Sequence, residues 1–380
     1  MIPMKRFLAL IALMLSLAAA AQPVTPPPIA ARAYIVVDLL SGQALAAANE
    51  NDRVEPASLT KLMTAYVVFS AMRAGRLDPA QPVTVSANAA KAPGSRTFLV
   101  AGSKVAVSDL VTGMVVQSGN DAAIALAEAV AGSEEAFAAL MNAEAAKLGL
   151  AGTNFANASG QPASNHYSTA RDIATLAAAL IRDFPDRYPL YSQREFTYSK
   201  ITQANRNRLL WTDPTVDGMK TGFTESAGYC LVASAKRGER RLISVLLGAQ
   251  SDTLRTSESQ KLMNFGFQAY ETRLLYHKGL AIASPEVFKG TQSKVPLGFQ
   301  RDVWLTLPRD RFAGVSAVLE TRQPLVAPLA AGQKAGIMKL TRDNAPLAEF
   351  PVVSLEDVPV GGFLSRGWDT LRLLFTPSPS

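Results

Sequence analysis

Four residues, Ser58-Leu59-Thr60-Lys61, place a hydroxyl and an amine three positions apart. On a helix that spacing puts them one turn apart on nearly the same face. From 57 to 72 Lys61 is the single charged side chain, and apolar residues recur at 59, 62, 63 and 66. That spacing predicts a helix, and with 65 and 67–69 also apolar it predicts an interior one. A serine hydroxyl is a weak nucleophile until a base lies within hydrogen-bond reach. A lysine serves only when neutral, and bringing an amine from about 10.4 to near pH 7 costs about 4 kcal/mol. Burial and a nearby second cation both act in that direction, and the helix start offers N–H groups to a developing oxyanion. Alone, the pair has a plainer reading, an incidental serine beside a snorkelling lysine.

Two further segments bear on the choice. Ser118-Gly119-Asn120 follows an apolar run and precedes an alanine-rich stretch. Its hydroxyl can relay a proton and its amide can hold a carbonyl, though a helix-capping turn would look the same. Lys220-Thr221-Gly222 leads toward a strand. It supplies a second cation, a hydroxyl for a carboxylate, and a glycine that lets backbone approach a ligand.

The elements that must position these residues follow from pattern. Residues 33–40 and 43–47 flank Ser41-Gly42 as a hairpin. The buried helix spans 58–73. Ser108 or Asp109 caps a helix to 116; others run over 121–131, 134–148 behind Ser133, and from Ser168 or Thr169 through 182. Residues 229–235 and 241–247 form a second hairpin, and 257–270 a helix. Residues 32–275 therefore read as an antiparallel sheet with helices and a helical insertion. Short alternating runs at 302–307, 315–321, 335–341 and 348–353, broken by Pro, Gly and Asp-Asn, predict a small β-rich domain over 276–360. In the tail, 361–380, Leu364, Trp368, Leu371, Leu374 and Phe375 share one face, with Arg366, Asp369 and Arg372 away from it.

At the other end, Lys5 and Arg6, an apolar stretch over 7–17 and alanines at 18–21 form a secretory signal, 1–21, followed by a Pro-rich linker at 22–31. Its removal lowers the formal net charge from +7 to +5. No basic run or basic–aromatic patch points to nucleic acid; the modest charge suits anionic wall polymer or lipid surfaces. One cysteine, Cys230, excludes an internal disulfide and reads as packing. Two histidines, His166 and His277, are too few for a multi-histidine metal site, leaving only carboxylate ligation open. Neither has a triad setting, no Gly-x-Ser-x-Gly elbow occurs, and His166 is expected on a loop surface.

Ser-x-x-Lys, Ser-Gly-Asn and Lys-Thr-Gly in this order resemble the penicillin-recognising serine enzymes. With Glu55-Pro-Ala-Ser-Leu-Thr-Lys-Leu-Met-Thr64, Asn205-Arg206-Asn207, Leu209-Leu-Trp211, Val216-Asp-Gly-Met-Lys-Thr-Gly-Phe-Thr224, Ala227-Gly-Tyr229 and Ser354-Leu-Glu-Asp-Val358, the chain resembles the low-molecular-mass penicillin-binding proteins that act as D-alanyl-D-alanine carboxypeptidases. The resemblance implies an α+β fold: a β-lactamase/transpeptidase-like domain, a small all-β domain and an amphipathic C-terminal helix. It implies removal of the terminal D-Ala from peptidoglycan pentapeptide stems through an acyl-enzyme, with no cofactor or metal and with β-lactams as acylating inhibitors. Ser58 would be the nucleophile, Lys61 its base, and Ser118 and Asn120 the second catalytic element. Lys220, Thr221, Gly222 and Arg255 would bind substrate, Lys220 would tune Lys61, and the N–H groups of Ser58 and Phe223 would form the oxyanion hole. A plain salt bridge to Glu258 is the other reading of Arg255. The tail would anchor the enzyme peripherally at the periplasmic face of the inner membrane, since about 15 residues cannot span a bilayer.

One residue departs from the pattern: Phe223 stands where the family often has histidine. Three alternatives remain. A D,D-endopeptidase shares the motifs. A class A-like β-lactamase should carry a glutamate for the deacylating water, yet 154–168 holds none. A catalytically dead wall-binding protein is the non-enzymatic reading.

Overall fold

The computed structural model describes residues 24–374. The secretory signal and Phe375 of the tail lie outside the described residues. Two hairpins build a five-stranded antiparallel sheet: β1 (Ala33–Asp38) with β2 (Ala44–Ala48), and β3 (Val216–Thr224), β4 (Gly228–Arg237) and β5 (Arg240–Ala249) as a meander. Their order is β2–β1–β5–β4–β3, so β1 pairs with β5 although about 200 residues separate them (Ile35 opposite Val245), and β3 is an edge.

Both faces of the sheet are covered, which is why its strands read as apolar runs and not as alternation. Ala33 and Ile35 of β1 face a core with α1 (Lys61–Arg73), α2 (Asn120–Ala131), α3 (Glu134–Lys147) and α4 (Ala170–Asp183). Tyr34 and Val36 face a second core with α5 (Asp252–Ala269). Gly266 allows that close approach, because a Cβ there would lie 2.7 Å from Leu242 Cδ1. Ser133 and Thr169 cap α3 and α4 as the sequence predicts, each oxygen accepting a backbone N–H from three residues on.

Some boundaries moved. Ser251, not a residue near 257, caps α5, with its Oγ accepting from the Leu254 N–H. The helix placed behind Ser108 or Asp109 starts at Val107 without a side-chain cap, and continues as a π-helical turn at Gly113–Gln117. A small hairpin, Glu195–Tyr198 with Ile201–Ala204, had no clear strand signal because its residues are largely exposed and polar.

α5 runs directly into β6 (Tyr270–Tyr276), which pairs with β7 (Val303–Pro308). Beyond it β8 (Val315–Thr321), β9 (Lys334–Arg342) and β10 (Ala345–Ser354) form an antiparallel sheet around a separate core that includes Leu297, Leu305, Leu340 and Val352. The last element, α6 (Phe363–Leu374), turns its polar side to this domain. Asp369 Oδ2 accepts from the Lys289 N–H at 2.6 Å and Arg372 pairs with Glu286 at 3.1 Å. Phe363, Leu364, Trp368, Leu371 and Leu374 stay exposed.

One buried polar network joins the sheet to the β-rich domain. Asp38, fully buried, accepts from Arg240 Nε at 2.6 Å and from Thr272 Oγ1 at 2.7 Å. Its other oxygen accepts from the Leu40 and Ser41 N–H groups, and the Ser41 and Thr306 hydroxyls meet at 2.6 Å. Removing one partner of a buried pair leaves the other charge uncompensated. Asp38→Ala is therefore expected to lower unfolding free energy by about 3–5 kcal/mol, read as a lower urea midpoint; an unchanged midpoint contradicts the assignment.

Candidate active site

The turn that carries Ser58 is held in an unusual backbone state. Ala57 adopts φ +47° and leads a short 3-10 turn, Ala57–Thr60, that runs into α1. Two glycines close on it. A Cβ on Gly160, at φ +86°, would collide with the Ala57 carbonyl, and one on Gly222 would sit 3.3 Å from the Ser58 nitrogen. The edge strand β3 thus lies against the turn that presents Ser58, as a glycine at that position permits.

Lys61 is 2% exposed, and its Nζ has three oxygen neighbours: Ser58 Oγ at 3.0 Å, Asn120 Oδ1 at 2.6 Å and the Ser159 carbonyl at 2.6 Å. Asn120 is oriented from its far end, where Nδ2 donates to the Pro93 carbonyl at 2.6 Å. Its amide is therefore engaged within the protein at both ends. The Ser159 carbonyl is fixed by a loop folded on Asn157, whose Oδ1 accepts from the N–H groups of Ser159, Gly160 and Gln161. Thr64 Oγ1 on α1 donates to the Ala158 carbonyl at 2.6 Å.

These contacts have a stoichiometric consequence. A neutral amine has two N–H donors and one lone pair. Asn120 Oδ1 and the Ser159 carbonyl can only accept, so they take both donors. In the ammonium form Nζ donates to all three oxygens, Ser58 Oγ included; once the amine is neutral, its lone pair is left for the Ser58 hydroxyl, which then donates to Nζ. The proton balance agrees: Lys61 is pushed down to about 7, first by burial and then by the Arg206 guanidinium, against the opposite pull of Asp121 and Glu134.

Ser118 sits in the left-handed region at φ +69°, ending the π-helical turn, and its buried Oγ has no hydrogen-bond partner among the described residues. The adjoining loop is pinned by Asp121, which accepts from the Thr97 and Leu99 N–H groups, and by the Asn120 N–H donating to the Ser95 carbonyl at 2.7 Å. Ser58, Ser118, Asn120, Thr221, Gly222, Phe223 and Arg255 all line one cleft of about 860 Å³. Lys220 lies beneath it, buried, donating to the Thr221 carbonyl at 3.1 Å.

Two sequence expectations change here. The cation that depresses Lys61 is Arg206, whereas Lys220 is itself held well below the lysine range by burial, then by Lys61, Arg206 and Arg255. Arg255 pairs with Asp252 and donates to the Gly222 carbonyl at 3.1 Å; Glu258 is taken by Lys261 at 2.8 Å. His166 is not a surface residue. It is buried and pushed down to about 4 by that burial, with Nε2 2.7 Å from Thr60 Oγ1 and Nδ1 accepting from the Ala156 N–H. It braces the loop behind the turn that carries Ser58.

Arg206 and the Ser159 carbonyl had no signal of their own as chemistry. Arg206 stands in the quoted Asn205-Arg206-Asn207, whose flanking amides cap and anchor the backbone: Asn207 Nδ2 donates to the Gly218 carbonyl on β3 at 3.0 Å.

Residues 20–251 match the family described as D-alanyl-D-alanine carboxypeptidase, and residues 270–360 match the penicillin-binding protein 5 C-terminal domain. The chain is 44% identical to D-alanyl-D-alanine carboxypeptidase DacC of Escherichia coli (strain K12) over 94% of its own length and 91% of the relative's. It is similar to the crystal structure of penicillin binding protein 5 from Haemophilus influenzae, at 41% identity and a TM-score of 0.85, covering 88% of this chain and 99% of that one. Penicillin-binding protein D2 of Listeria monocytogenes in its ampicillin-bound form matches over 63% of this chain, at 32% identity and a TM-score of 0.59. With a family match across more than half its length and this active-site geometry, the chain belongs to the D-alanyl-D-alanine carboxypeptidase family and is a serine-type hydrolase of the bacterial cell wall.

Proposed function

We propose that Ser58 is the acylated nucleophile of this carboxypeptidase and Lys61 its base. The observation that carries this reading is the arrangement at Lys61 Nζ, where two obligate acceptors leave the lone pair for Ser58 Oγ at 3.0 Å. The substrate is the peptidoglycan stem ending in D-Ala-D-Ala. Its terminal carboxylate docks at Thr221 and Arg255, with Lys220 below. Ser58 Oγ gives its proton to Lys61 and attacks the penultimate carbonyl. The N–H groups of Ser58 and Phe223, brought together where β3 meets the nucleophile turn, hold the oxyanion. The tetrahedral adduct collapses, the peptide bond breaks, and the departing amine takes the proton that Ser58 gave up, relayed through the unpartnered Ser118 hydroxyl. Water then enters, loses a proton to Lys61 and resolves the acyl-enzyme.

The strained amide of a penicillin can enter the same cycle, and an ampicillin-bound relative supports carrying this across. Fluorescent penicillin is expected to label the protein and to leave Ser58→Ala unlabelled; equal labelling of both removes Ser58 from the mechanism. Only neutral Lys61 can accept the proton, so the acylation rate should rise about tenfold per pH unit below the amine's pKa and level off above about pH 7. A flat profile between pH 5 and 9 in stopped-flow acylation would exclude Lys61 as the base.

For α6 we propose a place at the periplasmic membrane surface. Among the described residues no helix is long and apolar enough to cross a membrane. The polar side of α6 is docked through Asp369 and Arg372, and its apolar side, with Trp368 at 66% exposure, faces outward, the geometry of a helix lying in the interface. Ending the chain after Val360 should preserve D-Ala release and abolish co-sedimentation with anionic vesicles; unchanged sedimentation refutes the anchor.

A further inference from the structure

Two kinds of surface line the cleft. Gly94, Ser95, Gln161 and Arg206 are polar or lack a side chain, and three aromatic rings join them: Trp211, Phe223 and Tyr229. Phe223 is 49% exposed and stacks at a tilt on Tyr229, with 4.3 Å between ring centroids. The two residues are directly opposite each other in the β3–β4 register, and Trp211, 44% exposed, adds a third apolar surface.

This aromatic surface adjoins the proposed carboxylate anchor. The Arg255 guanidinium lies 5.4 Å from the Tyr229 ring centroid and donates to the Gly222 carbonyl, one residue before Phe223. Asp252 bridges Arg255 to Arg208, whose Nε lies 2.7 Å away, so the cluster keeps one net positive charge for an anion. A terminal residue whose carboxylate sits there carries its side chain two bonds from the anchored carboxyl carbon, on the stretch of cleft where Arg255 meets Tyr229 and Phe223.

We propose that Phe223, with Tyr229 and Trp211, forms a specificity pocket for the side chain of the departing residue, so that this enzyme also releases D-amino acids with apolar side chains larger than methyl. The reaction is unchanged: the same peptide bond breaks, water gives its hydroxyl to the D-alanyl carbonyl, and its hydrogen goes to the leaving amine. Extra methylenes gain by covering ring surface that otherwise faces water. A single methylene in an apolar pocket is worth about 10- to 200-fold in kcat/KM. The half-open wall here places the effect near the lower end.

This inference rests on Thr221 and Arg255 binding the terminal carboxylate, and the test separates the two. The full chain is given N-acylated peptides ending in D-Ala-D-Ala, D-Ala-D-Leu or D-Ala-D-alaninamide, and the released amino acid or amide is quantified. Wild type should release D-Leu with kcat/KM within about tenfold of D-Ala, and Phe223→Thr should lower the D-Leu to D-Ala ratio by about tenfold. A ratio that Phe223→Thr leaves unmoved, or wild-type release of D-Leu more than about a hundredfold slower than D-Ala, overturns the pocket. Equal turnover of the amide and the acid overturns the carboxylate anchor itself. Should Phe223→Thr fail to take fluorescent penicillin, Trp211→Ala is read in its place, with the same ratio deciding.

Discussion

A buried amine with two fixed acceptors is the constraint on which the active site depends. Lys61 loses the hydration that would hold its charge, and burial is the largest influence moving it to about 7. Desolvation alone would give a neutral amine with an undirected lone pair. Asn120 and the Ser159 carbonyl supply the direction, each at 2.6 Å, by consuming both hydrogens. Each is locked in turn: Asn120 by the Pro93 carbonyl, Ser159 by the Asn157 loop. For the base proposed at Lys61, neutrality and aim are therefore separate problems, met by the apolar helix and by two distant segments.

The rest of the fold can be understood as delivering those segments. The sheet spans the chain, pairing β1 with β5, so that β3 becomes an edge whose free side can press against the turn that carries Ser58. The turn is enclosed from two sides: at 160 there is no room for a Cβ, and at 222 a Cβ would press on Ala57, Pro56 and the Ser58 nitrogen at 3.2–3.3 Å. His166, buried, ties Thr60 of the turn that carries Ser58 to the Ala156 backbone. The same loop carries Gly160 and Gln161 into the cleft, which couples substrate contact to the support of the base.

Much of this was legible in the residues. A lone lysine in an apolar helical run announces its burial, and three short motifs in order name the chemistry. The β-strands at 315–321 and the caps at Ser133 and Thr169 follow from local pattern, because local energetics decide them. What was not legible depends on contacts between distant segments. Arg206 stands in a stretch that resembles the family, but its influence on Lys61, about 145 residues earlier, comes only with the fold. His166 reads as a loop residue because its neighbours, Asn165 and Ser164, are polar; in the fold it meets Thr60 of the turn before α1, about 100 residues earlier. The π-helical turn before Ser118 has no sequence signature of its own, since it is closed by Thr97 packing on Gly113.

The ranking of influences on Lys61 also matters for turnover. Lys61, Lys220, Arg206 and Arg255 crowd one site: Arg206 depresses Lys61 and Arg255, and the other three all depress Lys220. A base held neutral chiefly by neighbouring cations would regain its proton when an anionic substrate docked and cancelled them. Here burial is the larger influence and Arg206 the smaller. On the proposed anchor at Thr221 and Arg255, a docking carboxylate cancels only the lesser, cationic influence and leaves the burial of Lys61 in place. The peptide also displaces water from the cleft, which strengthens the desolvation that keeps Lys61 neutral. On that reading the substrate's charge is held at Thr221 and Arg255, while the amine proposed as the base keeps the burial that leaves it neutral.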